Sequence, residues 1–496
     1  MKKFILLMLT AALVAVSVLS CADEDGGTGT GNQNGPEDLW SEEFPPGMEP
    51  EAEAEELAFP DLPDIHFGGY NFRILNTRAG ALLFLLTQLV AEEETGEALN
   101  DAIFRRNRRM EDRFGFNIVE TSFNGPAQVR DAAQRSIQAA SDDFDMAMLQ
   151  TNQALPLAQD GLLEMFDRIP YINFSAPWWC QDMQRDLSIA NRLFFTSGDF
   201  TFNHYSAAIV ILFNKQLHMD LGLDCPYQLV RDGGWTIERF GEMGRAALRD
   251  LNGDGVFDQH DQFGFLAQSN VSTLAFMNAM GARYIVKDAD DLPVLNINSE
   301  GFISRFLTMF DILTEEWHLE RNRPPGSLGD AHAMFFNNQS LFWMELINNT
   351  SRFRAMETDF GILPTPKLNE QQPYHISGTG HFHVMCIPVT AVDLERTGII
   401  LEALSAESRL TTRSVYYDTM LVNQVLNRDE ESGEMLDIIF ANRVYEIGRA
   451  FWEASIAQPI AHAMRDMNRD IASVIERHEA AAIATIEATV AAFLEN

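Results

Sequence analysis

The sequence predicts an α/β protein of two lobes, each a mixed, mostly parallel sheet flanked by helices. Three observations predict it. Strand and helix patterns alternate β-α-β-α-β between Tyr70 and Gln150, an order that implies parallel strands joined by covering helices. A second α/β region opens at "AAIVILFNKQL", Ala207 to Leu217. The globular part, about 430 residues from His66 onward, exceeds what one hydrophobic core usually holds.

The N-terminus reads as a processing segment. Lys2 and Lys3 precede an apolar run from Phe4 to Leu19, the length of a secretory signal and too short for a comfortable membrane span. The stretch "VLSC", Val18 to Cys21, resembles a bacterial lipobox. That resemblance implies removal of residues 1–20 as a signal peptide and a lipid on the Cys21 sulfur. Residues 21–65 are rich in Gly, Glu and Pro with almost no apolar periodicity. Such a segment cannot bury enough surface to offset its ordering entropy and predicts a disordered tether. The expectation is a body on the extracellular face of the cell membrane, attached through its lipid anchor only.

Within the body, "YNFRILN" alternates and reads as the first strand. "GEALNDAIFRRNRRMEDRFG" reads as an amphipathic helix that stops at Gly115, with Leu99, Ile103, Met110 and Phe114 on its apolar face. "FNIVETSF" is a second strand, "PAQVRDAAQRSIQAA" a second helix and "FDMAMLQ" a third strand. Ligands of such sheets sit beyond the strand C-termini, which points to Gln150, Thr151 and Asn152. In the second region the helix "TIERFGEMGRAALRD" has Thr236 as N-cap, Glu238 in its first turn and Trp235 placed to staple onto Phe240. The last hundred residues read as helical: "DEESGEMLDIIFANRVYEIG" with a glycine stop, then "IASVIERHEAAAIATIEATVAAFL" with Ile471, Val474, Ile475, Ile486 and Val490 at helical spacing.

The chain carries 36 Lys and Arg against 72 Asp and Glu, a formal net charge of −36. Such a surface repels nucleic acid and anionic lipid, so no nucleic-acid partner is expected. Besides Cys21, the cysteines are Cys180, Cys225 and Cys386, an odd number at no metal-like spacing. They predict buried thiols rather than a disulfide framework.

The stretch "RDLNGDGVFDQHDQFGF" follows the EF-hand loop pattern. Asp250, Asn252, Asp254, Asp258 and Asp261 fill the side-chain ligand positions, Val256 offers its carbonyl, and Gly255 allows the sharp turn. Position 12 is Asp rather than Glu, and the exit reads as a strand. A lone loop of this kind predicts one structural Ca2+ that fixes a turn, not a switch.

Catalytic signatures are absent: no G-x-S-x-G elbow, no P-loop, no H-E-x-x-H. His381 and His383 alternate in "GTGHFH", which on a strand would place them on one face; a polar ligand contact or a hinge strand is the favoured reading. Trp178 and Trp179 sit together in "APWWCQD", and Trp343 lies two residues before Glu345 in "QSLFWMELI". Indoles beside a carboxylate are how a cleft reads sugar faces and hydroxyls, although most tryptophans are core.

Several segments together resemble the lipid-anchored solute-binding proteins of ABC importers, of the maltose-binding (family 1) type: "FNKQL" at 213–217, "GGWTIERFGEM" at 233–243, "DLNGDGVFDQHDQFGF" at 250–265, "DFGILPTPKLNE" at 359–370 and "YYDTML…RDEESGEMLDIIF" between 416 and 440. The resemblance implies a two-lobe periplasmic-binding-protein-like fold (type II) with crossover hinge strands. Lobe 1 would comprise 66–205 plus 380–425, and lobe 2 would comprise 206–379 plus 426–496. It implies capture of a small solute, an oligosaccharide, for the transmembrane subunits of an ABC permease, with no catalysis. Thr151, Asn152, Trp178, Trp179, Tyr205, Trp343, Glu345 and His381 are the expected ligand contacts. Two other functions fit the composition: a secreted glycoside or metal-dependent hydrolase using His381, His383 or a carboxylate pair, and a calcium-dependent surface adhesion protein.

Overall fold

The computed structural model describes residues 58–78, 80, 88–267, 269–320, 328–353, 355–378, 380, 382–421 and 431–496. The chain divides into two units, Met1–Glu56 and Leu57–Asn496. The signal segment, Cys21 and most of the tether lie outside the described residues, as does His381.

The first strands follow the sequence patterns: β1 (Tyr70–Thr77), β2 (Phe116–Phe123) and β3 (Met146–Gln150), with a helix at Ala98–Phe114 and another at Pro126–Gln138. The first helix buries Leu99, Ile103, Met110 and Phe114 and ends on Gly115 at φ 62°, the left-handed cap that glycine adopts without strain. After β4 (Phe195–Thr196) the chain crosses to a second sheet through β5 (Ile209–Asn214) and β6 (Phe263–Ala267). A hairpin of β7 (Ile285–Lys287) and β8 (Pro293–Leu295) precedes β9 (His318–Glu320), β10 (Ser340–Leu346) and β11 (Phe360–Leu363). The chain then returns through β12 (Ile376–Ser377) to β13 (His383–Cys386) and crosses a third time at β14 (Arg443–Val444).

The two main sheets run β2-β1-β3-β13-β4 and β11-β5-β10-β6-β9. Each is mixed, with parallel pairings among strands linked by local helical crossovers and antiparallel pairings where a strand arrives from the other lobe. Thus β1 pairs in parallel with β2 and β3, whereas β13 is antiparallel to β3 and β4. In the second sheet β6 pairs in parallel with β9 and β10, whereas β5, fresh from the first crossover, is antiparallel to β10 and β11. The crossovers bond to one another: Ala208 bridges Gly378, and β12 pairs in parallel with β14.

Helices flank both sheets. In the second lobe Thr236 caps the helix Ile237–Ala247 by accepting from the Arg239 N–H, and the Trp235 and Phe240 rings meet at 5.9 Å. The expected helix through "FANRVYEIG" is instead cut: Glu431–Ala441 is helical, then Arg443 and Val444 pair as strand, and a new helix starts at Ile447. Backbone hydrogen bonds to Ile376 and Ser377 outcompete continuation of the helix there. The last helix, Ile471–Glu495, buries Ile471, Val474, Ile475 and Ile486.

Candidate functional site

In the first sheet the chain runs outward from β1 to β2, then returns to place β3 on the other side of β1. The strand order therefore reverses between β1 and β3, and the crevice expected beyond their carboxyl ends is the location at which open α/β sheets bind ligands. Thr77 ends β1, and Thr151 and Asn152 follow β3.

Polar groups from several distant segments converge there. The His383 ring, first on β13, lies 3.3 Å from the Thr77 hydroxyl. Thr151 donates its hydroxyl to the Gly380 carbonyl at 2.8 Å and its N–H to the Phe382 carbonyl at 3.1 Å. Arg449, on the helix Ile447–Trp452, donates to the Ser377 hydroxyl at 3.0 Å and the Gly378 carbonyl at 2.9 Å. Asn278 from the second lobe donates to the same Ser377 hydroxyl at 3.2 Å. A Cβ added at Gly380 would fall 2.6 Å from a Glu453 carboxylate oxygen and 3.0 Å from Arg449 Cγ, so Gly380 packs closely against both side chains.

Four polar atoms of this cluster are buried without a partner among the described residues: Asn152 Oδ1, Asn278 Oδ1, His383 Nδ1 and Arg449 Nε. Unmet buried polar atoms cost about 1–3 kcal/mol each, so their gathering at one crevice marks a place where a polar ligand or ordered water completes the bonding.

His383 is fully buried, and desolvation pulls its pKa down to about 4. A histidine whose folded pKa lies below its unfolded value of about 6.5 contributes stability that is intact above pH 6.5 and lost as pH falls toward 4. Acid unfolding is therefore expected to show a pH slope between 6.5 and 4 that weakens in His383→Gln, amounting to about 3 kcal/mol. Chemical denaturation across that range measures it, and an unchanged slope in the variant would contradict it.

The other predicted contacts divide. Glu345 is buried at the end of β10 and accepts from the Trp343 indole at 3.2 Å, Asn349 at 2.9 Å and the Leu346 N–H at 2.9 Å, with the His332 ring also at 2.9 Å. Burial opposes its charge, but the bonds from His332, Asn349 and Leu346 outweigh burial and hold its pKa below the usual carboxylate range. Trp343 itself is only 1% exposed, so its ring packs in the core. Trp178 and Trp179 are also buried, and both indoles donate to the carboxylate of Glu402, at 3.1 and 2.8 Å. Tyr205 and Trp179 line a separate recess of 390 Å³ beside the crossovers, together with His204, Arg409, Arg413 and Arg443. Sequence reasoning missed Arg449, Asn278 and Ser377.

The acidic loop is wound by its own carboxylates. Asp250 accepts from the Gly253 and Gly255 N–H groups at 2.6 and 2.9 Å, and Asp254 from the Val256 N–H at 2.8 Å. Asp258 accepts from the His260 N–H at 2.8 Å, and Asp261 from Leu251 and Asp258 N–H groups, both at 2.9 Å. Gly253 and Gly255 take left-handed φ values of 74° and 76°. Among the described residues no three His, Cys, Asp or Glu side chains are grouped as a metal site. The donor set, carboxylates with one amide and one carbonyl, nevertheless fits a hard cation such as Ca2+.

No protein-family model matches the chain, and no curated protein sequence matches it. Solved structures do. A cyclo/maltodextrin-binding protein complexed with maltotetraose superposes with a TM-score of 0.55 at 12% identity, covering 86% of this chain and 96% of that one. An ABC substrate-binding protein from Listeria monocytogenes in complex with cycloalternan gives 0.54 at 12% identity, covering 84% and 99%. UgpB from Mycobacterium tuberculosis in complex with glycerophosphocholine gives 0.51 at 14% identity, covering 86% and 98%. The chain thus has the type II periplasmic-binding-protein fold. The two-lobe α/β architecture agrees with what the sequence segments led one to expect.

Proposed function

We propose that the protein is a solute-binding protein that captures a small hydroxyl-rich solute, a carbohydrate, in the crevice beyond β1 and β3 and delivers it unaltered to an ABC import permease. The observation that carries this reading is the set of buried polar atoms on Asn152, Asn278, His383 and Arg449 that have no partner among the described residues. Sugar hydroxyls donate and accept at once, so they can satisfy such a mixed set. The likeness of fold to proteins solved with maltotetraose and with cycloalternan supports the same class of ligand. Lipidation at Cys21 and residence on the extracellular face complete the proposal and suit a protein that hands cargo to a membrane permease.

Native mass spectrometry of the purified protein, followed by thermal shift against oligosaccharides, tests it. A ligand at a hundredfold its Kd is expected to stabilise by about 2.7 kcal/mol, and Arg449→Gln is expected to remove the shift. No shift across the panel, or recovery of cleaved sugar, overturns the reading in favour of a different ligand class or a hydrolase.

In the same proposal the acidic loop holds one Ca2+ through Asp250, Asn252, Asp254, Asp258, Asp261 and the Val256 carbonyl. The ion braces the turn between the helix Ile237–Ala247 and β6. With an affinity of about 10⁻⁴ M, 1 mM Ca2+ is expected to stabilise by about 1.4 kcal/mol, and Asp250→Asn to abolish the effect. An equal melting temperature in Ca2+ and in EDTA would overturn this part alone.

A further inference from the structure

The 390 Å³ recess beside the crossovers has a charge unlike the rest of the chain. The sequence holds twice as many acidic as basic residues, yet the recess is lined by Arg409, Arg413 and Arg443 against two carboxylates, Asp182 and Asp437. Asp182 pairs with Arg185, outside the lining, at 2.8 Å, and Asp437 accepts from the hydroxyl of Tyr417, which lines the same recess.

The guanidiniums gather around one ring. Arg413 and Arg443 lie over Tyr205 at 5.5 and 4.7 Å from its centroid. Arg413 donates to the Tyr205 hydroxyl at 3.0 Å, and Arg409 approaches the same oxygen at 3.4 Å. Arg443 spends its Nε and one Nη on the Phe440 and His204 carbonyls, both at 3.0 Å. Among the described residues neither Arg413 nor Arg443 forms an ion pair, and only Arg409 reaches a carboxylate, the buried Asp199 at 3.3 Å. His204 adds no charge, since burial pulls its pKa down to about 4. Arg413 and Arg443, two like charges without a carboxylate partner among the described residues, lie beside Arg409, whose charge is only partly offset by Asp199, and an anion among them relieves their mutual repulsion.

The backbone is also unusual at this point. Residues 408–412 form a π-helical turn between the helices Leu394–Glu407 and Arg413–Leu421. Such turns are rare and concentrate at functional sites. Here the turn carries Arg409 and delivers Arg413 to the same side, so that both reach Tyr205.

We propose that this recess is a second binding site, for a small solute bearing an oxyanion, a uronate or a sugar phosphate, with Arg409, Arg413 and Arg443 on the anion and Trp179 and Tyr205 as apolar walls. Its volume is within the range of small-molecule sites. It shares no residue with the crevice beyond β1 and β3, so it stands or falls separately from carbohydrate capture there.

Isothermal titration of the full-length protein with inorganic phosphate, D-galacturonate and neutral D-galactose tests it. At least one anion is expected to bind. Phosphate binding assigns the site to phosphorylated solutes, and galacturonate binding alone assigns it to carboxylates. Arg413→Gln is expected to weaken binding at least tenfold, while Arg449→Gln leaves it within twofold. Should Arg413→Gln fail to fold, Arg409→Gln, which keeps the Arg413–Tyr205 bond, is expected to weaken binding at least threefold. The proposal is overturned if neither anion binds, if the Arg449→Gln protein binds galactose as well as galacturonate, if the recess substitutions leave affinity unchanged, or if Arg449→Gln abolishes anion binding.

Discussion

Glu402→Ala is expected to lower the unfolding free energy by about 4 kcal/mol, from unmet donors and a new cavity together. Glu402 is fully buried on the helix Leu394–Glu407 and accepts from both neighbouring indoles and from the Asn173 N–H at 3.2 Å. Burial raises its pKa, and the bonds from Trp179, Asn173 and Trp178 partly oppose that rise. Truncation leaves two buried indole donors without an acceptor, and neither indole can turn to water without leaving the core, whereas the Asn173 N–H belongs to an exposed residue. Glu402→Gln keeps the shape and one acceptor oxygen but turns an amide toward the other donor, so about half the loss is expected. Urea unfolding followed by tryptophan fluorescence measures both variants. A loss below about 1 kcal/mol for the alanine variant would show that water replaces the carboxylate, and that the indoles are not fixed by it.

The same residues show what the sequence could and could not reveal. Adjacent tryptophans after a proline carry the signal of a sugar-stacking surface, but the acceptor that claims them is 223 positions away from Trp179. Local sequence contains no mark of that pairing. The strands and helices between Tyr70 and Gln150 were legible because hydrophobic periodicity reports which face is buried, and that face is set by the nearest elements. Thr151 and Asn152 were legible for a related reason: chain order alone places them beyond a parallel strand at the reversal of strand order. Arg449, Ser377 and Asn278 meet there from three separate segments, and their residue types are unremarkable singly, whereas His383 stood out through its alternation with His381. The nearest usable hint was Gly380, whose conformation is ordinary but whose missing side chain makes room for Glu453 and Arg449. The π-helical turn at 408–412 was invisible because one extra residue in a buried helix barely disturbs its apolar pattern.

Gly264→Ala is expected to cost about 3 kcal/mol or more. Gly264 lies on β6, and a Cβ there would sit 2.2 Å from the Gly244 carbonyl oxygen, 2.4 Å from its Cα and 2.5 Å from its carbonyl carbon. These are backbone atoms of the helix Ile237–Ala247, so no side-chain rotation relieves the clash and the helix must lift off the sheet. Gly244 cannot yield, because the Trp317 ring closes its other side, 2.2 Å from where its own Cβ would be. Lifting that helix also strips contacts from the buried cluster of Trp235, Phe240 and Phe342. Two other glycines separate this cause from the general properties of the residue. At Gly255 nothing lies within 4 Å, but φ is +76°, so alanine there is expected to cost about 1 kcal/mol through backbone strain alone. At Gly301, inside the helix Glu300–Leu313, the sole neighbour is the tip of Arg305 at 3.0 Å, and alanine is expected to stabilise by about 0.5–1 kcal/mol through helix propensity. The order of the three denaturation midpoints distinguishes close backbone approach, left-handed conformation and plain entropy. Gly264→Ala as mild as Gly255→Ala would mean that the helix and sheet are not held in this close register.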